Sequence, residues 1–154
     1  MRVEKRKVVI EKEIFIAEDG KEFDSKYDCD DYEYELKMLR LEKSVDEKLR
    51  LYNVESNWVS IANPDKRVSK DYRWFKIENR EDLELFCKGY KQYHRGLADP
   101  GYVEAFLVYP DFICLVDYPE GPDDPMWFSL SEMVGRSNSF LNQFGMEINI
   151  KKND

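Results

Sequence analysis

The sequence predicts an α+β fold, with a mixed, mostly antiparallel sheet and about three helices, one of them long. Three observations lead to this prediction. Apolar residues recur at helical spacing after Asp24, short β-branched and aromatic runs alternate with two further helical patterns, and no internal repeat or linker interrupts the chain. We therefore expect a single α+β domain over residues 1–154.

The first third of the chain predicts a strand, a turn and the long helix. β-Branched residues dominate the apolar positions of Val3–Ala17, and Asp19-Gly20 is a turn signal. Asp24 or Ser25 is a suitable N-cap for a helix that continues to Tyr52. Because such a helix would be about 40 Å long at 1.5 Å per residue, we expect a projecting end or a break near Ser44.

The long helix carries apolar residues on two roughly opposite faces. Either its own domain covers both faces, or one face meets a partner. The first stripe comprises Tyr34, Met38, Leu41, Val45, Leu49 and Tyr52, and the second comprises Cys29, Tyr32, Leu36 and Leu39.

The remaining elements follow from turn and capping signals. Trp58–Ile61 predicts a short strand before the turn signal Asn63-Pro64-Asp65. Arg73–Glu78 predicts another strand, with Trp74 and Lys76 on one face and Phe75 and Ile77 on the other. Residues 102–118 predict a buried hairpin that turns at Pro110-Asp111. Two helices are expected around it, one from an Asn79 cap to Gly96 and one from the Ser129–Glu132 capping box to Gly145, followed by a last strand, Met146–Ile150.

Composition favours a folded protein of the cytoplasm. The share of apolar residues is 42%, no stretch approaches the length of a bilayer-spanning helix, and the N-terminus lacks the apolar core of a signal peptide. The cysteines, Cys29, Cys87 and Cys114, are odd in number and far apart, which is typical of reduced thiols.

The negative charge is concentrated in two blocks. Between Glu18 and Glu35 there are nine acids and two lysines, a net charge of −7, and between Val103 and Pro125 there are six acids and no base. The whole chain has a formal charge of −8, so the rest of it is mildly basic. This asymmetry is the sharpest feature of the sequence.

No enzyme motif accompanies these blocks. The glycines are scattered singly, which excludes the usual phosphate loops, and the one histidine, His94, has no nucleophile in motif spacing. We expect no catalytic residue, no cofactor and no metal site. The weaker alternative is a divalent cation, held either by the shared helical face of Asp28, Asp31 and Glu35 or by the loop acids Asp117, Glu120, Asp123 and Asp124.

The basic residues near the middle of the chain suggest a solvated loop. Lys66, Arg67, Lys70 and Arg73 stand among aromatic residues, a mixture that can bind nucleic acid. Four charges around one turn are more often a loop that balances acids elsewhere. We expect no direct binding of nucleic acid.

The segment Ile14–Glu35 resembles the opening of small proteins from phages and mobile elements of Firmicutes. The shared features are IFIAEDGKEF followed by Cys29 and Tyr32-Glu33, that is, a strand, an Asp-Gly turn, a Glu-Phe pair and a Cys-x-x-Tyr-Glu helix start. The resemblance covers about a seventh of the chain. Such proteins are similar in size and acidity to phage inhibitors of host defence, including anti-CRISPR proteins. The resemblance therefore implies that the protein acts in the cytoplasm of an infected bacterium, and it assigns no catalytic residue.

Charge and resemblance together predict a non-catalytic inhibitor of a host nucleic-acid-handling or defence system. Surface carboxylates spaced like phosphates can occupy a basic groove built for DNA or RNA. The interleaved aromatic residues suit the anchors of an interface, and they are Tyr27, Tyr32, Tyr34, Tyr109, Tyr118 and Trp127. The predicted partner-binding residues are Asp24, Asp28, Asp30, Asp31, Glu33, Glu35, Asp117, Glu120, Asp123 and Asp124. An immunity or antitoxin-like protein, or a self-associating homodimer, that binds through the apolar helix face is the alternative.

Overall fold

The computed structural model describes residues 12–52, 54, 71–93, 95–117 and 126–149, and in these it shows helices together with antiparallel strands. The α+β class is thereby confirmed. Of the four helices in the described residues, three have more than seven residues, and one of them is long, as predicted. Contacts divide the chain into two compact units, residues 1–40 and 41–154.

The smaller unit contains a short hairpin. Strand β1 (Phe15–Ile16) pairs antiparallel with β2 (Glu22–Phe23), with Phe15 opposite Phe23. The predicted Asp19-Gly20 turn joins them, and the Gly20 amide donates to the Ala17 carbonyl. Gly20 has a φ of 89°, a conformation that favours glycine.

The long helix α1 (Lys26–Leu49) is continuous, so the expected break near Ser44 is wrong. At its start the Asp28 amide donates to Ser25 Oγ at 3.4 Å, which supports Ser25 as the cap. Each predicted apolar stripe is buried only in part. Cys29, Met38, Val45 and Leu49 are buried, Tyr32, Leu36 and Leu41 are half-buried, and Tyr34, Leu39 and Tyr52 are exposed.

The larger unit is built on a four-stranded antiparallel sheet in chain order. It comprises β3 (Arg50–Leu51), β4 (Asp71–Ile77), β5 (Asp111–Asp117) and β6 (Met126–Ser129). Strand β5 pairs with β4 from Ile77 opposite Asp111 to Asp71 opposite Asp117, and with β6 on its other side. As expected for a central strand, Ile113, Cys114, Leu115 and Val116 are all buried.

The predicted first arm of the 102–118 hairpin is wrong. Residues Pro100–Glu104 form a short helix, α3, and the chain from 105 to 110 is irregular. The reason is local: the Asp99 side chain accepts from the Gly101 amide, and Pro100 occupies the first helical position, a favourable helix start. The apolar run that follows packs as helix and turn, with Val103 fully buried.

Two helices begin at the predicted caps. Asn79 accepts from the Asp82 amide at 3.0 Å to start α2 (Arg80–Tyr90), and Ser129 accepts from the Glu132 amide at 3.0 Å to start α4 (Leu130–Leu141). Helix α2 ends at Tyr90, six residues before the predicted Gly96. After α4 a single 3₁₀ turn leads to Gly145, which has a φ of 70°, so this predicted stop is confirmed.

The predicted last strand is not formed in residues 146–149. The Asn138 side chain takes the place of a neighbouring strand, because its amide group donates to the Ile148 carbonyl and its oxygen accepts from the Ile148 amide. Residue 150 lies outside the described residues, as do most of Val3–Ala17, the Trp58–Ile61 strand, the Asn63–Asp65 turn and His94.

The sheet of the larger unit has an apolar cluster on each face. One cluster contains Phe75 and Ile77 of β4, with Leu83, Phe86 and Tyr90 of α2. The other contains Trp74 and Cys114, against which Leu130 and Met133 of α4 pack. The predicted alternation along β4 is therefore confirmed, and the thiol of Cys114 is buried, as predicted.

Candidate acidic interaction surface

The first acidic block lies in the smaller unit, on the hairpin and the N-terminal half of α1. Acids in the first turn of a helix complement its dipole, and Asp28 serves this purpose. The dipole effect is confined to the first turn, so it does not explain Asp30, Asp31, Glu33 or Glu35 further along. Their clustering calls for another explanation.

Part of the block holds the hairpin turn against α1. The Glu18 amide donates to Glu33 Oε1 at 2.9 Å, and Arg40 pairs with Glu18 at 2.7 Å. The Tyr32 hydroxyl donates to Asp19 Oδ2 at 2.8 Å, and this hydrogen bond, with one from the Lys21 amide, lowers the pKa of Asp19. Glu18, Asp19 and Glu33 therefore have structural roles within the smaller unit.

The six predicted residues of this block do not share one face. At 100° per residue, Asp28, Asp31 and Glu35 form one row at i, i+3 and i+7, which we call the acidic face. Asp30 and Glu33 point to another side of α1. Asp24 precedes the helix and forms an ion pair with Lys12 at 2.6 Å.

The acidic face is exposed and uncompensated within the described residues. Asp28, Asp31 and Glu35 are all exposed, and no lysine or arginine in the described ranges lies within 4.0 Å of their carboxylates. Among the described residues, nothing blocks the approach of a partner's basic group to this face.

Asp30 and Glu33 line an open cleft of about 500 Å³ within the smaller unit. Its other lining residues are Glu18, Tyr34, Leu36, Lys37 and Arg40. The cleft is acidic at its Asp30 end, and Lys37 and Arg40 follow about two and three turns further along the helix. Its polarity is thus divided along the α1 axis.

Two of the three tyrosines predicted to anchor an interface in this block are available. Tyr27 and Tyr34 are 75% and 52% exposed. Tyr32 is half-buried, its ring 5.2 Å from that of Phe23 and covered by Lys21 Nζ at 3.9 Å from the ring centroid. Tyr32 therefore belongs to the hairpin contact of its own unit.

The second acidic block is less exposed than its charge count indicates. Asp111 is buried and accepts hydrogen bonds from the amides of Val108, Phe112 and Ser131, while Glu104 pairs with Arg80 and accepts from Tyr109. Asp117 ends strand β5, with its backbone opposite Asp71. Glu120, Asp123 and Asp124 lie outside the described residues.

A polar network in the larger unit was not predicted from the sequence. Arg73 forms an ion pair with Glu42 at 2.8 Å, and only 13% and 18% of their side chains are exposed. Arg73 also donates to the Tyr90 hydroxyl at 3.1 Å, and Tyr90 in turn donates to Asp46. The assignment of Arg73 to a solvated loop is therefore wrong. The available signal was its spacing of two and four residues from Phe75 and Ile77, which places all three on one face of β4.

The network and the adjacent core raise several pKa values. Burial first, and then the hydrogen bond to Glu42, raise the pKa of Tyr93 to about 12. Burial also raises the pKa of the Cys87 thiol to about 12, so this thiol stays protonated and inert at neutral pH. These groups pack in the core of the larger unit.

Among the described residues, no group of three or more histidine, cysteine, aspartate or glutamate side chains is arranged to hold a metal ion. The row Asp28, Asp31 and Glu35 is included in this finding. In the same part of the chain, none of the helices combines the length and apolar character needed to cross a bilayer.

Comparisons with protein-family models, with curated proteins and with solved structures gave no match to this chain.

Proposed function

We propose that this chain is a small, acidic, phage-type inhibitor without catalytic activity, which binds a host protein that handles nucleic acid or acts in defence. Its acidic surface would occupy a basic groove of that protein in place of DNA or RNA. The observation that carries the proposal is the exposed row of Asp28, Asp31 and Glu35 on α1, which has no ion-pair partner among the described residues.

The charge density of this helix supports the proposal. Residues 28–35 hold five carboxylates, and this length of helix corresponds to about 12 Å at 1.5 Å per residue, or about one charge per 2.4 Å. Duplex DNA carries one charge per about 1.7 Å of its axis. A groove lined by lysine and arginine would meet a comparable negative potential on α1.

The larger contribution is assigned to the acids of α1. Asp28, Asp30, Asp31, Glu33 and Glu35 are placed by a continuous helix, and Asp24 is partly neutralised by Lys12. The proposed role of Asp117, Glu120, Asp123 and Asp124 rests on their charge alone. Association driven in this way is steered by charge and weakens as salt screens it.

The test is capture of a partner, followed by competition. The tagged chain is incubated with nuclease-treated bacterial lysate, and proteins that elute at raised salt are identified and purified. We expect a nucleic-acid-binding protein whose binding to labelled DNA or RNA is competed by the chain, and not by the triple variant Asp28→Lys, Asp31→Lys, Glu35→Lys.

A matched variant controls for net charge. Glu47→Lys, Glu81→Lys and Glu147→Lys change the charge equally at exposed acids outside the first block, and this variant should still compete. A partner that binds the Asp28, Asp31, Glu35 variant as tightly as the wild type would refute the proposal, as would capture without competition.

The second candidate is an immunity or antitoxin-like protein, or a self-associating accessory, that binds through the apolar helix face. The observation in its favour is Leu39, which is 60% exposed on α1 although it is apolar. Tyr32 and Leu36 are half-buried and offer less surface. This candidate predicts binding that resists high salt and is lost in Leu39→Glu, measured by light scattering for the homodimer or by capture for a heterologous partner.

A further inference from the structure

We infer that the α1 surface formed by Tyr27, Asp30, Asp31 and Tyr34 is a binding site for an arginine side chain of the partner. We call these four residues the tyrosine–aspartate patch. The inference rests on the proposed function and deepens it, because it names which basic residue the acidic helix selects.

The patch is one continuous surface on the helix. Its members occupy positions i, i+3, i+4 and i+7, so two tyrosines flank two aspartates, and the tyrosines are about 10.5 Å apart along the axis. Both rings are more than half exposed, and both carboxylates are exposed. No lysine or arginine of the described ranges forms an ion pair or a ring contact with any of the four side chains.

The patch also adjoins a concave surface, so it is more than a group of acids. Asp30 and Tyr34 form one end of the open cleft of about 500 Å³ described above. At the other end Lys37 repels a cation, and Arg40 is already paired with Glu18 at 2.7 Å. A basic side chain that enters the cleft would therefore settle at the Asp30 and Tyr34 end.

Two arginines of the larger unit are each held by a tyrosine ring and a carboxylate, the same kinds of group that form the patch. In the larger unit the Arg73 guanidinium lies 4.9 Å from the Tyr90 ring centroid and 5.8 Å from that of Tyr93, and it pairs with Glu42. Arg50 is held similarly, 4.9 Å from the Tyr52 ring centroid and 2.7 Å from Asp46. In the smaller unit the tyrosine–aspartate patch presents these groups outward.

The chemistry favours arginine over lysine. A planar guanidinium can stack on a tyrosine ring while it donates two hydrogen bonds to a carboxylate, whereas an ammonium is a compact and more strongly hydrated charge. Tyrosine and arginine are also enriched among the residues that dominate binding at interfaces. The patch thus supplies a selective contact within a surface that otherwise attracts any cation.

The experiment compares octa-arginine and octa-lysine peptides of equal length, titrated into the purified chain by calorimetry at low salt. We expect the arginine peptide to bind about three- to tenfold more tightly, from the cation–π gain at two exposed rings. The variant Tyr27→Leu, Tyr34→Leu should lose this preference and keep its affinity for the lysine peptide.

Two further variants make the result specific. Tyr27→Phe, Tyr34→Phe keeps both rings and should keep the preference for arginine. Tyr102→Leu removes a tyrosine that is 53% exposed in the larger unit and should also leave it unchanged.

Equal affinity of the wild type for both peptides would overturn the inference and leave the charge-based function standing. A preference that survives in the double leucine variant would overturn it as well. If neither peptide bound, both the inference and the proposed function would be refuted.

Discussion

Arg73 and Glu42 are charged residues that this fold buries as an ion pair. Their ion pair is largely excluded from water. Arg73 donates to the Tyr90 hydroxyl, which in turn donates to Asp46, and Tyr93 donates to Glu42. A buried pair of this kind contributes less than its Coulomb energy, because both ions lose hydration. Removal of one partner alone is nevertheless costly, because the other charge stays buried.

We therefore expect Glu42→Leu and Arg73→Met each to lower the free energy of unfolding by about 3 kcal/mol. The double variant should lose much less than the sum of the two, since it leaves no buried charge. Urea unfolding of the four proteins measures this coupling. Lys43→Met, at an exposed ion pair with Glu47, should change stability by less than about 0.5 kcal/mol. Additive losses in the double variant would contradict the assigned burial.

At the scale of elements, the approach of α2 to the C-terminal half of α1 depends on Gly89. A Cβ added there would lie 2.6 Å from Val45 Cγ2 and 3.5 Å from the Leu41 carbonyl oxygen. Val45 is fully buried, and its β-branched side chain has little freedom to move aside. Gly89 therefore lowers the helix propensity of α2 but permits its close packing against α1.

Gly89→Ala should therefore destabilise the protein by about 1–3 kcal/mol through overpacking, although alanine gains about 1 kcal/mol in helix propensity. Gly135→Ala in α4 is the matched control, because an added Cβ there meets nothing within 4 Å. This control should be neutral or stabilising by up to about 1 kcal/mol in thermal and urea unfolding. If both substitutions stabilised the protein, the close approach would be wrong.

Other element boundaries follow from caps of a few residues. Asn79, Ser129 and Gly145 were identified from the sequence because each acts within its own helical turn. Asp99-Pro100 is likewise a signal for the start of a helix, although the apolar run after it predicts a strand. A continuous apolar run does not distinguish strand from helix by periodicity, and here the cap was the better guide.

At the scale of the whole molecule, several buried phenols connect stability to alkaline pH. Burial raises the pKa of Tyr93 and of Tyr109 to about 12, and it also raises the pKa of Tyr90, from an ordinary value of 10.0. The folded state thus binds these protons more tightly than the unfolded chain. For Tyr93 and Tyr109 this contribution is complete below pH 10 and is lost as the pH rises from about 10 to about 12.

We expect the urea midpoint to fall steeply over this interval, and less steeply in Tyr93→Phe, Tyr109→Phe. The double variant is necessary because Lys48, whose pKa is raised by its hydrogen bond to Asp82, also loses its proton at high pH. Unfolding at fixed pH values, followed together with tyrosinate absorbance, measures both slopes. Identical slopes in the two proteins would show that these phenols titrate as exposed groups.

Sequence patterns alone predict the α+β class, the long helix and three helix caps or stops. They also predict the alternation of side chains between the two faces of β4 and the acidic block of the smaller unit. All of these depend on residues close together in the chain, where periodicity, capping and charge act directly. The exposure of Asp28, Asp31 and Glu35 on one face also follows from helical spacing.

Three features depend on the tertiary structure and are absent from local patterns. They are the strand partners of β5, the burial of Arg73, and the hydrogen bonds and ion pairs that engage Glu33, Glu104 and Asp111. Strand pairing joins residues that are far apart in sequence. The strand that pairs with β5 is therefore β4, and not the preceding residues 103–109. Likewise, a carboxylate is free or engaged according to which amide or cation the fold brings to it. Local patterns carry no information about those distant groups.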